Sequence, residues 1–123
     1  MTKTTELTMT DVINHNDFSL ALRSFLDKFK YYDNRQDMIT NPPKSDNADK
    51  LNLCILAAVA HKLANDYGIP VPEWVNEYQY RMPEPVFAFN TENREYQEFL
   101  LKDTPYEFAG KNIYYGADTL ERA

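Results

Sequence analysis

The sequence predicts a mainly α protein: a small helical domain around a central alanine-rich buried helix, with a proline-rich connector and a short C-terminal extended segment. Three observations carry this. Leu53-Cys54-Ile55-Leu56-Ala57-Ala58-Val59-Ala60 is apolar at every position, so a helix through it must be enclosed by protein on all sides. Residues 18–29 and 96–100 repeat apolar side chains at helical spacing. Pro70, Pro72, Pro83 and Pro85 interrupt the chain between the central helix and the last amphipathic one, because proline has no amide donor and displaces its predecessor from helical geometry. A chain of 123 residues, 43% hydrophobic and 26% charged, is long and apolar enough for one globular core.

Taken in order, residues 1–14 are Thr-rich and weakly patterned, and read as a mobile N-terminal arm or a short helical turn, with a single helical domain over 15–123. Asn16 or Asp17 can cap the first long helix, on which Phe18, Leu22, Phe25 and Phe29 form one stripe with Leu26 beside it. The polar residues 33–47, with Asn41-Pro42-Pro43, predict a long loop. The central helix should begin near Asp46 or Asn47 and run to Tyr67, where Gly68 suits the C′ position and Pro70 blocks continuation. One short helix fits after Pro72, and residues 83–89 should be extended, laying Val86, Phe87 or Phe89 on the core. Thr91 can cap a third sizeable helix carrying Tyr96, Phe99 and Leu100. Thr104-Pro105-Tyr106-Glu107 has the form of a capping box with proline at the first helical position, and Gly110 can end that helix in left-handed geometry. Asn112-Ile113-Tyr114-Tyr115 predicts a short extended segment, and Asp118 can cap a last turn holding Leu120.

Charge and composition exclude several classes. With 19 acids against 13 bases and a net charge of −6, the chain is a poor ligand for nucleic-acid phosphates or an anionic membrane, both of which demand Lys and Arg. Residues 73–107 hold eight acids and three bases and so carry −5 of that −6. This is either a solvated acidic face or a patch that steers a basic partner. A lone cysteine, Cys54, the absence of a long apolar N-terminal run and no segment long enough to span a bilayer predict a cytoplasmic protein.

Catalytic and metal signatures are missing. The two histidines, His15 and His61, stand in no zinc-ligand spacing. Cys54 lies within the apolar helix, where burial favours an inert thiol. Glu92, Glu95 and Glu98 recur every three residues without the Glu-x-x-His of carboxylate metal bundles. Three glycines make no phosphate loop. No catalytic residue, metal site or cofactor is therefore assigned. The aromatics carry more information: seven of nine tyrosines follow residue 66, and tyrosine joins an apolar body to a polar tip, which suits interfaces as well as small cores. Trp74, Phe87 and Phe108 are expected in the core.

From Leu56 onward the motifs follow a recognisable order. Leu56-Ala57-Ala58-Val59-Ala60-His61-Lys62-Leu63-Ala64 leads to Gly68-Ile69-Pro70-Val71-Pro72-Glu73-Trp74, then Met82-Pro83-Glu84-Pro85-Val86-Phe87, then Leu101-Lys102-Asp103-Thr104-Pro105-Tyr106-Glu107-Phe108, Lys111-Asn112-Ile113-Tyr114 and Leu120-Glu121-Arg122-Ala123. This resembles a family of small, mostly uncharacterised bacterial proteins, often encoded beside a nucleotidyltransferase-type toxin of the abortive-infection kind. Some members carry an N-terminal helix-turn-helix, for which this chain has no room before residue 48. Ala109-Gly110 stand where the family pattern usually places arginines. The resemblance implies an antitoxin-like protein partner.

The first functional expectation is accordingly a non-enzymatic, cytoplasmic interaction module that masks a toxin. Tyr106, Tyr114 and Tyr115 would be its aromatic anchors and Glu95 and Glu98 its steering charges. Two alternatives remain open: a small enzyme or ligand-binding protein with a pocket near His61 and an acid, and a self-associating phage or mobile-element structural protein. The oligomeric state is not readable from the sequence.

Overall fold

A computed structural model describes residues 7–117. It is 60% helical, with six helices and one two-stranded parallel sheet among the described residues, so the fold is mainly α. At its centre lies α4 (Lys50–Tyr67), in which every side chain from Cys54 to Ala60 is buried. Its neighbours are α1 (Met9–Ile13), α6 (Tyr106–Ala109) and the 3-10 turns at Glu73–Asn76 and Tyr78–Tyr80. Alanines at 57, 58 and 60 remove the side-chain bulk that would hold these elements away. The ends of α4 follow from local chemistry. Asp49 Oδ1 accepts from the Asn52 amide at 3.1 Å, and Gly68 takes up φ 66° while the Ile69 amide donates to the Ala64 carbonyl at 2.8 Å. The helix therefore starts a few residues later than Asp46 or Asn47.

Helix α2 (Phe18–Tyr31) is capped by Asp17, whose Oδ1 accepts from the Leu20 amide at 3.1 Å. It buries Phe25, Leu26 and Phe29 of the predicted stripe together with Ala21, while Phe18 and Leu22 are partly buried against the same core. Between α2 and α4 the structure departs from the sequence reading. The segment expected to be a loop contains α3 (Arg35–Thr40), with Met38 and Ile39 buried. Arg35 explains why it stays there: its guanidinium donates to the carbonyls of Phe29 (2.7 Å) and Lys30 and lies over the Tyr67 ring at 5.0 Å. One cation thereby satisfies the free carbonyls that end α2.

Of the two readings of residues 1–14, a mobile arm or a short helical turn, the described residues from 7 onward take the second. Thr8 and Asp11 form a capping box at the start of α1, and Met9, Val12 and Ile13 enter the core between α2 and α4. Asn14 Nδ2 donates to the Lys44 carbonyl at 2.9 Å and the Lys44 amide donates to Thr10 Oγ1 at 3.0 Å, fastening the proline segment onto this helix.

Beyond Gly68 the connector folds back on the core. Trp74 is buried and donates through Nε1 to the Ile39 carbonyl at 3.0 Å. The chain then pairs with its own C-terminal segment. β1 (Val86–Phe87) and β2 (Ile113–Tyr114) are parallel, with Val86 opposite Ile113 and Phe87 opposite Tyr114. The Met82 amide extends this pairing to the Lys111 carbonyl at 3.0 Å. Phe108 is buried as expected, but Phe87 is only half-buried, stacked on Tyr114.

Three expected caps differ. Helix α5 (Arg94–Asp103) is capped by Asn93, not Thr91; Asn93 Oδ1 accepts from the Tyr96 amide at 2.9 Å. Thr104 does not cap α6. It is buried, and its hydroxyl accepts from the Gly116 amide at 3.0 Å, pinning the segment after β2 to the start of that helix. Nor is Gly110 left-handed, at φ −63°; Asn112 takes the positive φ of 65°, and its Nδ2 donates to the Met82 carbonyl at 2.7 Å. The expected cap at Asp118 and turn at Leu120 lie outside the described residues.

Candidate interaction surface

The five residues singled out in the sequence occupy different settings. Tyr106 is 66% exposed on α6. Its ring meets His61 edge-on with centroids 5.6 Å apart, and its hydroxyl accepts from Asn65 Nδ2 at 2.7 Å. Tyr114 is half-buried against Phe87. Tyr115 is half-buried too, and burial pushes its phenol above the ordinary value, with a smaller contribution from Asp49. Glu95 and Glu98 are exposed on α5 and make no hydrogen bond or ion pair among the described residues. Tyr115 alone of the five lines the largest cleft described below.

Around His61 the structure does assemble titratable groups. The Asn65 Nδ2 that serves Tyr106 also donates to the buried Glu107 carboxylate at 2.8 Å. Lys111, buried nearby, donates through Nζ to the Val75 carbonyl. Burial lowers the Lys111 pKa, opposed by Cys54. Burial also lowers the His61 pKa; Glu107 acts in the opposite direction and Lys111 adds to the lowering. These groups join α4 to α6 and to the turn at Glu73–Asn76, and none of them lines the clefts described here. Cys54 is fully buried, and burial raises its thiol pKa against the smaller lowering by Lys50 and Lys111, which keeps the thiol protonated and unreactive. Among the described residues no three His, Cys, Asp or Glu side chains converge on a metal site.

The His61 environment has a measurable consequence. Because its folded pKa lies below the unfolded value of 6.5, the unfolded chain takes up the proton first as pH falls through 6.5. Stability should therefore decrease below about pH 6.5 and continue to decrease toward the lower folded value. Chemical denaturation at a series of pH values checks this. His61→Gln should flatten the dependence in that window, and an unchanged slope would refute the assignment.

A larger feature lies elsewhere. A groove of about 770 Å³ runs between α2 and α5. It is lined by Ser19 and Arg23 of α2, by Tyr96, Phe99, Leu100 and Asp103 of α5, and by Ala88, Phe89, Tyr115 and Gly116. Its size falls within the ordinary range for binding clefts. Two of its aromatic rings are in solvent: Phe89 is 82% exposed and Phe99 55%. Leu20, 55% exposed, shares a smaller cleft with Arg23, Ser24 and Asp27 on α2.

The backbone holds Phe89 outward. Phe89 and Asn90 have φ of 58° and 52°, two successive left-handed residues. Asn tolerates that region; Phe does so only at a cost, about 1–3 kcal/mol. The sequence leaves open whether Val86, Phe87 or Phe89 of the extended segment packs on the core. The reversal at Phe89-Asn90 turns the Phe89 ring away, while Ala88 takes the buried position. Phe99 was legible as part of the apolar side of its helix, but not that this side stays largely uncovered, with Leu100 the buried residue of α5.

Among the described residues no helix is long and apolar enough to cross a membrane. Compared with protein-family models, curated proteins and solved structures, the chain matches none.

Proposed function

We propose that this protein is an interaction module that acts by masking another protein, in the manner of an antitoxin, and not by transforming a substrate. The observation that carries the reading is the display of Phe89. A strained left-handed pair places a large apolar ring in solvent, beside a second exposed ring and over an open groove. Local strain and apolar exposure both oppose folding, so an arrangement with both makes physical sense where a partner covers the ring. The resemblance to proteins encoded beside nucleotidyltransferase-type toxins supports such a toxin as the partner, and with it a cytoplasmic setting. Aromatic anchors in partly formed clefts contribute most of the energy in interfaces of this kind.

Tyr115 joins this surface through the groove; Glu95 and Glu98, exposed on the same helix as Phe99 but outside the groove lining, are proposed as its steering charges. Tyr106 and Tyr114 are expected to matter chiefly for folding, since each is engaged by neighbours within the chain. Co-purification of the tagged full-length chain from its native cell tests the reading. A specific protein should accompany the wild type and be lost with Phe89→Ser, a change at an exposed position. Equal recovery with both forms would overturn the assignment of this surface, and recovery with neither would overturn the function.

A further inference from the structure

The groove and the ring beside it form a self-complementary surface. Phe89 is 82% exposed and lines an open groove of about 770 Å³. One face thus carries both a projecting apolar side chain and a cavity able to receive one. Its charges are balanced as well. Among the residues that line it, Arg23 of α2 is the base and Asp103 of α5 the acid. The two do not pair with each other within the chain, and neither makes an ion pair among the described residues; Asp103 Oδ2 instead accepts from the Ala117 amide at 2.9 Å. The lining is therefore neutral in a chain whose net charge is −6, and the excess acids lie outside it.

A second copy of the chain supplies what this face lacks. In a two-fold pair the same patch meets itself, so that when residue i touches j, j also touches i. We infer that the chain forms a two-fold homodimer through the face of Phe89, Phe99, Arg23 and Asp103. With the axis along the groove, the α2 side of one copy lies over the α5 side of the other. Arg23 of each copy then approaches Asp103 of the other, and each Phe89 enters the opposite groove. A partner charged with one sign gains nothing inside a balanced lining, whereas a copy meets opposite charge at both ends. The remaining negative charge opposes pairing, but outside the lining salt screens it over about 8 Å. The inference goes beyond the masking of a toxin: the pair covers the exposed rings in the free protein, and a partner at this face has to displace it.

The test uses the purified full-length chain. Light scattering should give a mass that rises with concentration toward twice 14.4 kDa. Phe89→Ser should raise the dimer dissociation constant about tenfold or more, since the contact is lost on both sides at once. Arg23→Asp and Asp103→Arg should each do the same by setting like charges together. Their equimolar mixture restores both ion pairs, so a heterodimer should form where neither variant pairs with itself. Asp103→Asn keeps an acceptor for the Ala117 amide; it too should weaken pairing, and it serves if Asp103→Arg fails to fold. A wild type that stays monomeric, Phe89→Ser or Asp103→Asn pairing as the wild type does, or a mixture of the folded single variants that stays monomeric would overturn the inference. If the purified chain is a monomer while another protein co-purifies in a Phe89-dependent manner, the interaction module stands and the dimer does not. If the dimer forms and no other protein co-purifies, the dimer stands and the masking of a toxin falls.

Discussion

Met9→Ala is expected to lower the stability of the protein by about 2–5 kcal/mol, the range for truncating a buried methionine. Met9 is 1% exposed and belongs to the same core as Phe25, Phe29 and Leu56. Five residues of helix cannot form alone, since nucleation fixes several dihedrals for a single hydrogen bond. What holds α1 is the burial of Met9, Val12 and Ile13 together with the reciprocal Thr8–Asp11 cap. The expected outcome is a denaturant midpoint shifted well down with the slope unchanged. Thr10→Ala provides the comparison: it removes the hydroxyl that receives the Lys44 amide at the surface and should cost far less. If Met9→Ala leaves the midpoint where it was, α1 is not part of the core.

Trp74→Ala should be at least as damaging, about 3–5 kcal/mol. The indole is buried, meets Tyr80 edge-on with centroids 5.2 Å apart, and donates to the Ile39 carbonyl at 3.0 Å. That bond joins the connector to α3, two segments without a strong helical pattern of their own. Trp74→Phe separates the two contributions. It keeps most of the apolar volume but leaves a buried carbonyl without its donor, at a cost of about 1–3 kcal/mol. Thermal or chemical denaturation of the two variants should give a graded loss, alanine below phenylalanine below wild type. Equal losses would mean that the hydrogen bond, not the packing, carries the effect.

Trp74 was legible as a core residue, but its bond to α3 was not, because α3 lies in the segment read as a loop. Helix α4 was legible because its signal is local and redundant: eight consecutive apolar residues, then Gly68 and Pro70 where the helix must stop. The stripe on α2 was legible for the same reason, spread over several turns. Helices α1 and α3 are five and six residues long, too short for periodicity to register. They exist because tertiary contacts hold Met9 and Ile39 and because Arg35 reaches back to the end of α2. The Thr104 motif failed differently. The local pattern is that of a cap, but the hydroxyl has a competing acceptor role toward Gly116, twelve residues away.

The candidate surface was legible only in part. Of the residues singled out from composition and charge, Tyr115 lines the groove, while Glu95 and Glu98 are exposed on α5 outside its lining. The display of Phe89 was not legible, since nothing in Val86-Phe87-Ala88-Phe89-Asn90 announces two left-handed residues in succession. Asn90 permits that conformation without requiring it.

By itself, then, the amino-acid order determined the helical class, the enclosure of the central helix, the proline breaks and the excess of negative charge. All of these depend on residue type and on spacings within a few turns. Which apolar side chains were left outside was decided only when distant segments met. Hydrophobicity says that Phe89, Phe99 and Met9 would each prefer burial; the backbone turn at residue 90 and the limited room around α4 settle that Met9 obtains it and the two phenylalanines largely do not.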